Sequence, residues 1–261
     1  MTNQFREISV KILPRPYQLS IYNSIIQNGN TLVVLPTGLG KTLIALMLIE
    51  ARMKVGNGRC FLLTPTKPLA KQHYKSVIET LGLTESQVSL VNGEITPKKR
   101  KELYNTSVII STPQTIRNDL EKGILLPSAS LLIADECHRS VGDYAYTQVA
   151  AKLHSPETLI VGLTASPGGN KARIKEVMDS LHMTNVEIRT HDDPDVSPFV
   201  QKSEVTWIPV ELSPHLREIK SALDFMSGIY AQKLTAMGFP PPLKHKGQFM
   251  KMRARLLAIK S

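Results

Sequence analysis

The sequence predicts an α/β domain in which helices cover both faces of a mostly parallel β-sheet. Short apolar runs rich in β-branched residues recur along the chain, without the polar alternation of a strand that has one face in water. Segments with helical signals separate these runs. The predicted strands are Thr31–Leu35, Cys60–Thr64, Val88–Val91, Val108–Ser111, Leu131–Asp135 and Leu159–Leu163.

The helices between these strands are predicted from apolar spacing and from signals at their ends. Over Thr42–Met53, leucine, methionine and isoleucine recur three and four residues apart. Thr96 followed by Pro97 has the pattern of an N-cap with proline in the first helical turn. Regular alternation of strands and helices is typical of a doubly wound sheet.

The pattern changes after residue 190. Residues 191–199 are rich in Asp, Pro and Ser, which predicts a linker. Residues 204–212 alternate enough to predict one more strand, and Pro209 indicates that it lies at a sheet edge. An amphipathic helix is then predicted from Ser213-Pro214 until Gly238 ends it. The predicted units are the α/β domain over 1–190, a linker and edge strand over 191–212, and the start of a basic helical insertion over 213–261.

The charge of the chain is positive and unevenly distributed. Lys and Arg number 32 against 22 Asp and Glu, which gives a net charge of +10. Residues 215–261 hold nine basic and two acidic side chains, so this segment carries +7. A basic excess of this kind favours a polyanionic partner. Cys60 and Cys137 are too few for a disulfide scaffold, and no apolar run is long enough to span a membrane, so we expect a cytoplasmic protein.

The first predicted strand leads directly into Leu35-Pro36-Thr37-Gly38-Leu39-Gly40-Lys41-Thr42, and a helix follows. The segment matches the phosphate-binding pattern GxxxxGK[ST], except that leucine replaces the usual first glycine. Gly38 and Gly40 allow backbone N–H groups to wrap around a phosphate, and Lys41 can reach the β- and γ-phosphates. The Thr42 hydroxyl can ligate Mg²⁺. The alternative is a strand–helix turn that contains its glycines and lysine by chance. Because the phosphate-binding pattern requires a strand before it and a helix after it, and both are predicted here, the phosphate-binding interpretation is favoured. The predicted nucleotide-binding residues here are Thr37, Gly38, Leu39, Gly40, Lys41 and Thr42.

The fifth predicted strand ends in two adjacent carboxylates, Asp135 and Glu136. In enzymes with a phosphate loop, the first such acid holds Mg²⁺ and the second activates the attacking water. The alternative is a helix N-cap followed by an acid that favours the helix dipole. Because the chain also contains the phosphate loop, the catalytic interpretation of the two acids is preferred. It makes Lys41, Asp135 and Glu136 catalytic, and Thr42 and Asp135 the ligands of Mg²⁺.

These elements belong to an ordered set of motifs that resembles the first RecA-like domain of superfamily-two helicases and translocases. The resemblance implies a RecA-like P-loop fold that uses ATP. It also implies that Gln18 hydrogen-bonds the adenine edge, that Tyr17 or Arg15 packs on adenine, and that His138, Thr164 and Ser166 couple ATP to nucleic-acid movement. The matching segments are Arg15-Pro16-Tyr17-Gln18 (the Q element), Leu35–Thr42 (motif I), Thr64–Leu69 (motif Ia), Ser111–Thr115 (motif Ib), Asp135-Glu136-Cys137-His138 (the DExH box, as DECH) and Thr164-Ala165-Ser166 (motif III).

The sequences of four segments are similar to those of the archaeal Hef and eukaryotic FANCM branch of these helicases. The segments are LPTGLGKT, TPTKPLAKQH, STPQTIRNDL and DECHRSVGDYAY. That resemblance implies the ATP-binding half of a DNA helicase or translocase that acts on forked or branched DNA in repair, in an archaeal cytoplasm. An RNA-directed ATPase of the Dicer and RNA-sensor type is the main alternative. A non-catalytic nucleic-acid-binding module is a third, which the intact Lys41, Thr42, Asp135 and Glu136 argue against.

The same resemblance implies a set of contacts to the nucleic-acid backbone. Thr66 and Thr112 lie where loops become helices, and free N–H groups at such junctions can bind phosphates. Gly93 permits a close approach of the backbone. A helix cap or a turn glycine is the alternative at each position. The predicted nucleic-acid residues are Thr66, Lys67, Gly93, Thr112 and Gln114.

One catalytic element of the family has no counterpart in this sequence. Superfamily-two enzymes bind ATP between two RecA-like domains, and the second supplies an arginine from a motif resembling QxxGRxxR. No such motif follows Thr164–Ser166. The resemblance therefore implies that a second RecA-like domain is a required partner, and that this chain alone is nearly inactive.

Overall fold

The computed structural model describes residues 12–56, 58–140, 144–166, 171–200 and 206–238. In these residues seven strands form one parallel sheet in the order β3-β4-β2-β5-β6-β1-β7. The strands are β1 (Thr31–Val34), β2 (Cys60–Leu63), β3 (Val88–Val91), β4 (Val108–Ser111), β5 (Leu131–Asp135), β6 (Leu159–Thr164) and β7 (Asn185–Ile188). The helices are α1 (Pro16–Asn28), α2 (Lys41–Val55), α3 (Lys67–Leu81), α4 (Pro97–Leu103), α5 (Pro113–Glu121), α6 (Tyr144–Leu153), α7 (Lys171–Ser180) and α8 (Pro214–Ala236).

Helices cover both faces of the sheet, as the apolar runs predict. Alternate residues of the strands point into two separate cores: Ile133 of β5, for example, lies in one core and its neighbour Leu132 in the other. Helices α1, α2 and α3 close the first core, and α5, α6 and α7 close the second. Because both faces are covered, the strands can be apolar throughout, which is why they do not alternate.

All six predicted strands are present, with ends that differ by at most one residue. The sequence interpretation missed β7, an edge strand whose Val186 and Ile188 side chains are about two-fifths exposed, so that it lacks a continuous apolar run. The predicted strand over 204–212 is wrong for residues 206–212, which have no regular structure. Trp207 is 88% exposed there, so its apolar alternation reflects no sheet face. Residues 204 and 205 lie outside the described part.

The chain divides into two compact units, Met1–Gln201 and Lys202–Ser261. The described part of the second unit contains α8, which begins where it is predicted. The Ser213 hydroxyl accepts a hydrogen bond from the Leu216 N–H at 3.4 Å, as an N-cap does. The helix predicted near the chain end lies outside the described residues. In the ranges that the structure describes, no helix combines the length and the apolar character needed to cross a membrane.

A buried ion pair joins α4 to α5. The guanidinium of Arg100 donates two hydrogen bonds to the Asp119 carboxylate, at 2.6 and 2.7 Å, and the Tyr104 hydroxyl donates a third at 2.6 Å. Asp119 is fully buried, and burial together with this hydrogen bond raises the pKa of Tyr104. Arg100 belongs to the basic run 98–101, in which its three lysine neighbours are exposed. The run is therefore only partly a solvated face.

We expect the Asp119→Ala variant to be destabilised by about 3–5 kcal/mol, because it leaves the buried Arg100 guanidinium without its partner. Chemical denaturation followed by circular dichroism measures this change. The control is Lys101→Ala on the exposed face of α4, for which we expect a change below about 0.5 kcal/mol. Equal unfolding free energies for the two variants would contradict the structural role assigned to Asp119.

Candidate active site

The predicted ATP motifs meet at one edge of the sheet. The segment Leu35–Thr42 follows β1, the DECH box begins at the last residue of β5, and Thr164 ends β6. Strands β5, β6 and β1 are neighbours and parallel, so their carboxyl ends lie side by side. In open α/β sheets this is the edge where ligands bind.

The phosphate loop has the backbone that its glycines predict. Gly38 and Gly40 have φ angles of +84° and +77°, in the left-handed region that favours glycine. A Cβ atom at Gly40 would displace the Nε2 atom of Gln18, and the positive φ angle disfavours larger residues there as well. Helix α2 begins at Lys41, and its first-turn N–H groups have no acceptors within the helix. The N-terminus of a helix is for this reason a favourable place for a phosphate.

Lys41 lies close to the two predicted acids, Asp135 and Glu136. Its ammonium donates a hydrogen bond to the Leu35 carbonyl at 3.0 Å, which folds the side chain back over the loop. Burial lowers the pKa of Lys41, while the charges of Glu136 and Asp135 act in the opposite direction. The sequence-predicted cation and carboxylates are thus brought together.

Both acids of the DECH box are held in defined positions. The Tyr146 hydroxyl donates to the Asp135 carbonyl at 2.7 Å, and one carboxylate oxygen of Asp135 lies 3.0 Å from Nε2 of His73. Glu136 has a φ angle of +52°, which is uncommon for a residue with a side chain. Such conformations occur at active sites, where surrounding structure maintains them. Here the turn lies within the DECH box and directs the chain from β5 into the short 3-10 helix Cys137–Ser140.

Motif III contacts both the DECH box and the phosphate loop. Nδ1 of His138 lies 2.9 Å from the Thr164 hydroxyl and 3.3 Å from a carboxylate oxygen of Glu136. The Ser166 N–H donates to the same hydroxyl at 3.2 Å, and the Leu35 N–H donates to the Thr164 carbonyl at 3.0 Å. The three residues predicted to couple ATP to movement therefore form one connected group with the loop.

The Q element packs against the phosphate loop. Gln18 accepts from the Arg15 N–H at 2.8 Å and donates to the Leu39 carbonyl at 3.1 Å. Tyr17 also donates to the Leu39 carbonyl, at 2.8 Å, but its side chain is fully buried against Phe199. Its ring supports the loop from the protein interior, so of the two residues predicted to pack on adenine, Arg15 is the one that this arrangement favours. Arg15 is half-buried, and its guanidinium lies 5.0 Å from the Phe199 ring centre.

A cavity of about 310 Å³ lies between the Q element, the phosphate loop and α3. Arg15 and Gln18 line one part of it, and Gly38, Gly40 and Thr42 line another. A Cβ atom at Gly38 would meet open space, so the loop leaves room for a phosphate. The hydroxyl of Thr42 and the carboxylate of Asp135 are oxygen ligands of the kind that Mg²⁺ prefers. The residues present therefore fit a nucleoside triphosphate with Mg²⁺.

The predicted nucleic-acid residues lie at the other half of the same edge, after the neighbouring strands β3, β4 and β2. Thr66 caps α3, and Lys67 forms an exposed ion pair with Glu94 at 2.7 Å. Thr112 is the N-cap residue of α5, but the residue is only 9% exposed and its hydroxyl lies 3.1 Å from that of Thr115. Its hydroxyl is therefore engaged within the protein. Gly93 and Gln114 are exposed beside these residues.

Two residues at the site were missed from the sequence. His73 contacts Asp135, and Phe199 supports Arg15 and Tyr17. His73 lies in the segment TPTKPLAKQH, where one buried histidine on an amphipathic helix gives no signal of its own. Phe199 lies in the predicted linker, where apolar anchors are not expected. Burial raises the pKa of Cys137, as expected for a packed thiol rather than a nucleophile.

Comparison with known proteins relates this site to one family. The model for DEAD/DEAH box helicases matches residues 15–174. A Methanocaldococcus jannaschii protein named as an ATP-dependent RNA helicase is 38% identical over 229 residues, which are 85% of this chain and 29% of that protein. The ATP-dependent DNA helicase fml1 of Schizosaccharomyces pombe is 36% identical over 84% of this chain and 27% of its own length. The chain therefore spans under a third of the length of these relatives.

A solved structure agrees with both comparisons. The Hef helicase domain of Pyrococcus furiosus superposes with a TM-score of 0.73 and 36% sequence identity, over 95% of this chain and 54% of that one. The predicted RecA-like fold and the resemblance to the Hef and FANCM branch are confirmed. With the phosphate loop, the DECH box and motif III assembled at the ends of neighbouring strands, the chain belongs to the DEAD/DEAH box helicase family.

Proposed function

We propose that this chain is the ATP-binding half of an ATP-dependent DNA helicase or translocase that acts on forked or branched DNA in the cytoplasm. The observation that carries the proposal is the grouping of Lys41, which follows β1, with Asp135 and Glu136 at the end of β5. This grouping supplies the groups needed to bind a triphosphate and to activate water. The DNA substrate is inferred from the relatives in the Hef and FANCM branch.

Each residue has a separate task in hydrolysis. Lys41, released from the Leu35 carbonyl, binds the β- and γ-phosphates while the first-turn N–H groups of α2 bind the adjacent oxygens. Thr42 and Asp135 hold Mg²⁺, which when bound neutralises charge on the phosphates. Glu136 orients the attacking water and accepts its proton. Arg15 and Gln18 hold the adenine.

The connected group of motif III gives hydrolysis a route to the nucleic acid. His138 contacts both Glu136 and Thr164, and the Thr164 carbonyl binds the first residue of the phosphate loop. A change at the γ-phosphate therefore alters contacts at the end of β6. A second RecA-like domain, docked over this edge, would convert that change into movement along one strand.

The residues proposed to contact the nucleic-acid backbone favour binding that does not depend on the base sequence. Thr66, Thr112 and Gly93 offer helix N-termini and close backbone approach, both of which recognise phosphates rather than bases. The basic segment 215–261 adds electrostatic attraction for a polyanion. Neither feature separates DNA from RNA, so that choice is made by experiment.

We expect Lys41→Ala and Glu136→Gln to fail at different steps. Loss of the Lys41 cation should weaken ATP binding by about 10- to 100-fold, the size of a lost hydrogen bond to a charged group. Glu136→Gln should keep binding and lower turnover by about 10²- to 10⁴-fold in a chain joined to its second domain, because only water activation is lost. Calorimetric nucleotide titration and steady-state ATPase assays measure the two effects. The reverse pattern would show that the roles are misassigned.

We expect the 261-residue chain by itself to show almost no DNA-stimulated ATPase. An arginine supplied by a partner domain contributes about 10³- to 10⁵-fold to rate in related phosphoryl-transfer enzymes, and no matching motif follows Thr164–Ser166. Phosphate release with and without forked DNA tests this, and the Glu136→Gln chain gives the background. Robust stimulated turnover above that background would mean that this chain contains its own catalytic arginine.

The substrate is tested with the chain joined to its second domain. Forked DNA should stimulate its ATPase more, and compete for binding better, than duplex RNA of equal length and sequence. Linear duplex DNA is the control for the branch itself. Stronger stimulation by duplex RNA would replace the DNA proposal with the RNA-directed alternative, which the name of the Methanocaldococcus jannaschii relative also favours.

A further inference from the structure

A buried histidine on α3 touches the acid proposed to hold Mg²⁺. His73 lies two turns into α3 and is 7% exposed, and its Nε2 atom is 3.0 Å from Oδ2 of Asp135. An ionised carboxylate only accepts hydrogen bonds, so Nε2 of His73 donates. His73 belongs neither to the phosphate loop nor to the DECH box.

The contact fixes the side chain of Asp135, whereas its main chain is fixed separately. The Tyr146 hydroxyl binds the Asp135 carbonyl at 2.7 Å, and β5 pairs with β6 through Asp135 and Leu163. These bonds involve the backbone of Asp135 and not its carboxylate. The hydrogen bond from His73 restricts rotation of that carboxylate. A carboxylate has about four acceptor positions, so one bond to Oδ2 leaves capacity for Mg²⁺ or its water.

We propose that His73 is a positioning residue that orients the Asp135 carboxylate for Mg²⁺. The inference rests on the proposed function, because it assumes that Asp135 holds the ion. Hydrogen-bonding partners of ligating carboxylates set the orientation and basicity of the ligand, and their loss costs about 10- to 100-fold in metal affinity. His73 suits this task because α3 packs in the core and holds the ring rigidly.

The same contact connects the two halves of the sheet edge. Thr66 caps the start of helix α3 in the half proposed for nucleic acid, and His73 of the same helix contacts Asp135 in the half proposed for ATP. The proposed Mg²⁺ ligand is therefore oriented by the helix that motif Ia begins.

The test separates binding of Mg²⁺ from binding of nucleotide. A fluorescent ATP analogue is titrated into this chain in EDTA and over a series of Mg²⁺ concentrations. We expect His73→Leu to require about 10- to 100-fold more Mg²⁺ for the same Mg²⁺-dependent gain in affinity, with binding in EDTA unchanged. His73→Gln, whose amide can donate to Asp135, should recover much of the loss. Lys75→Ala, an exposed change on the same helix, should behave as the unaltered chain does.

Three outcomes would overturn the inference. Wild-type dependence on Mg²⁺ in His73→Leu would show that Asp135 needs no positioning. Equal losses with Mg²⁺ and with EDTA, without rescue by His73→Gln, would show a role in packing alone. An unaltered chain that binds the analogue without any response to Mg²⁺ would remove the proposed function as well, which distinguishes that failure from the other two.

Discussion

Parallel pairing of all seven strands is the constraint on which the site depends. It brings every strand-end loop to the same edge of the sheet, so residues as distant in sequence as Lys41 and Asp135 become neighbours. The strand order then separates two tasks. Strands β5, β6 and β1 present the proposed ATP residues, and β3, β4 and β2 present the proposed nucleic-acid residues. An antiparallel strand in either group would send its loop to the opposite edge.

Buried polar contacts give that edge its shape. The Leu39 carbonyl accepts hydrogen bonds from both Tyr17 and Gln18, which fixes the phosphate loop from below. Tyr146 and His73 fix Asp135 in the same way. Such contacts hold functional groups in place before a ligand arrives, and this preorganisation reduces what binding must reorder. The left-handed backbone of Glu136 is maintained within the same framework.

Much of the fold and of the ATP site could be predicted because the signals are local. Each buried strand is a continuous apolar run, and Gly38-Leu39-Gly40-Lys41-Thr42 lies between a strand and a helix in one short segment. The features that could not be predicted have a common cause, because burial of a side chain depends on residues that are distant in the sequence. The fully buried ring of Tyr17 and the contact of His73 with Asp135 depend on residues far along the chain. The half-exposed strand β7 has no continuous apolar run and was therefore missed. The exposed residues 206–212 have the alternating pattern of a strand but do not form one.

The position of β1 in the sheet has a consequence for how the chain acquires its structure during synthesis. Thr31 of β1 pairs with Val161 and Asn185, which are 130 and 154 residues later, whereas Val88 of β3 pairs with Val108, only 20 residues away. Closing long loops slows folding, so β1, the first of these seven strands to leave the ribosome, is among the last of them to find its neighbours. Until β6 and β7 emerge, the apolar edge of β1 stays unpaired and open to other chains. The phosphate loop is thus completed only when nearly the whole domain has been made.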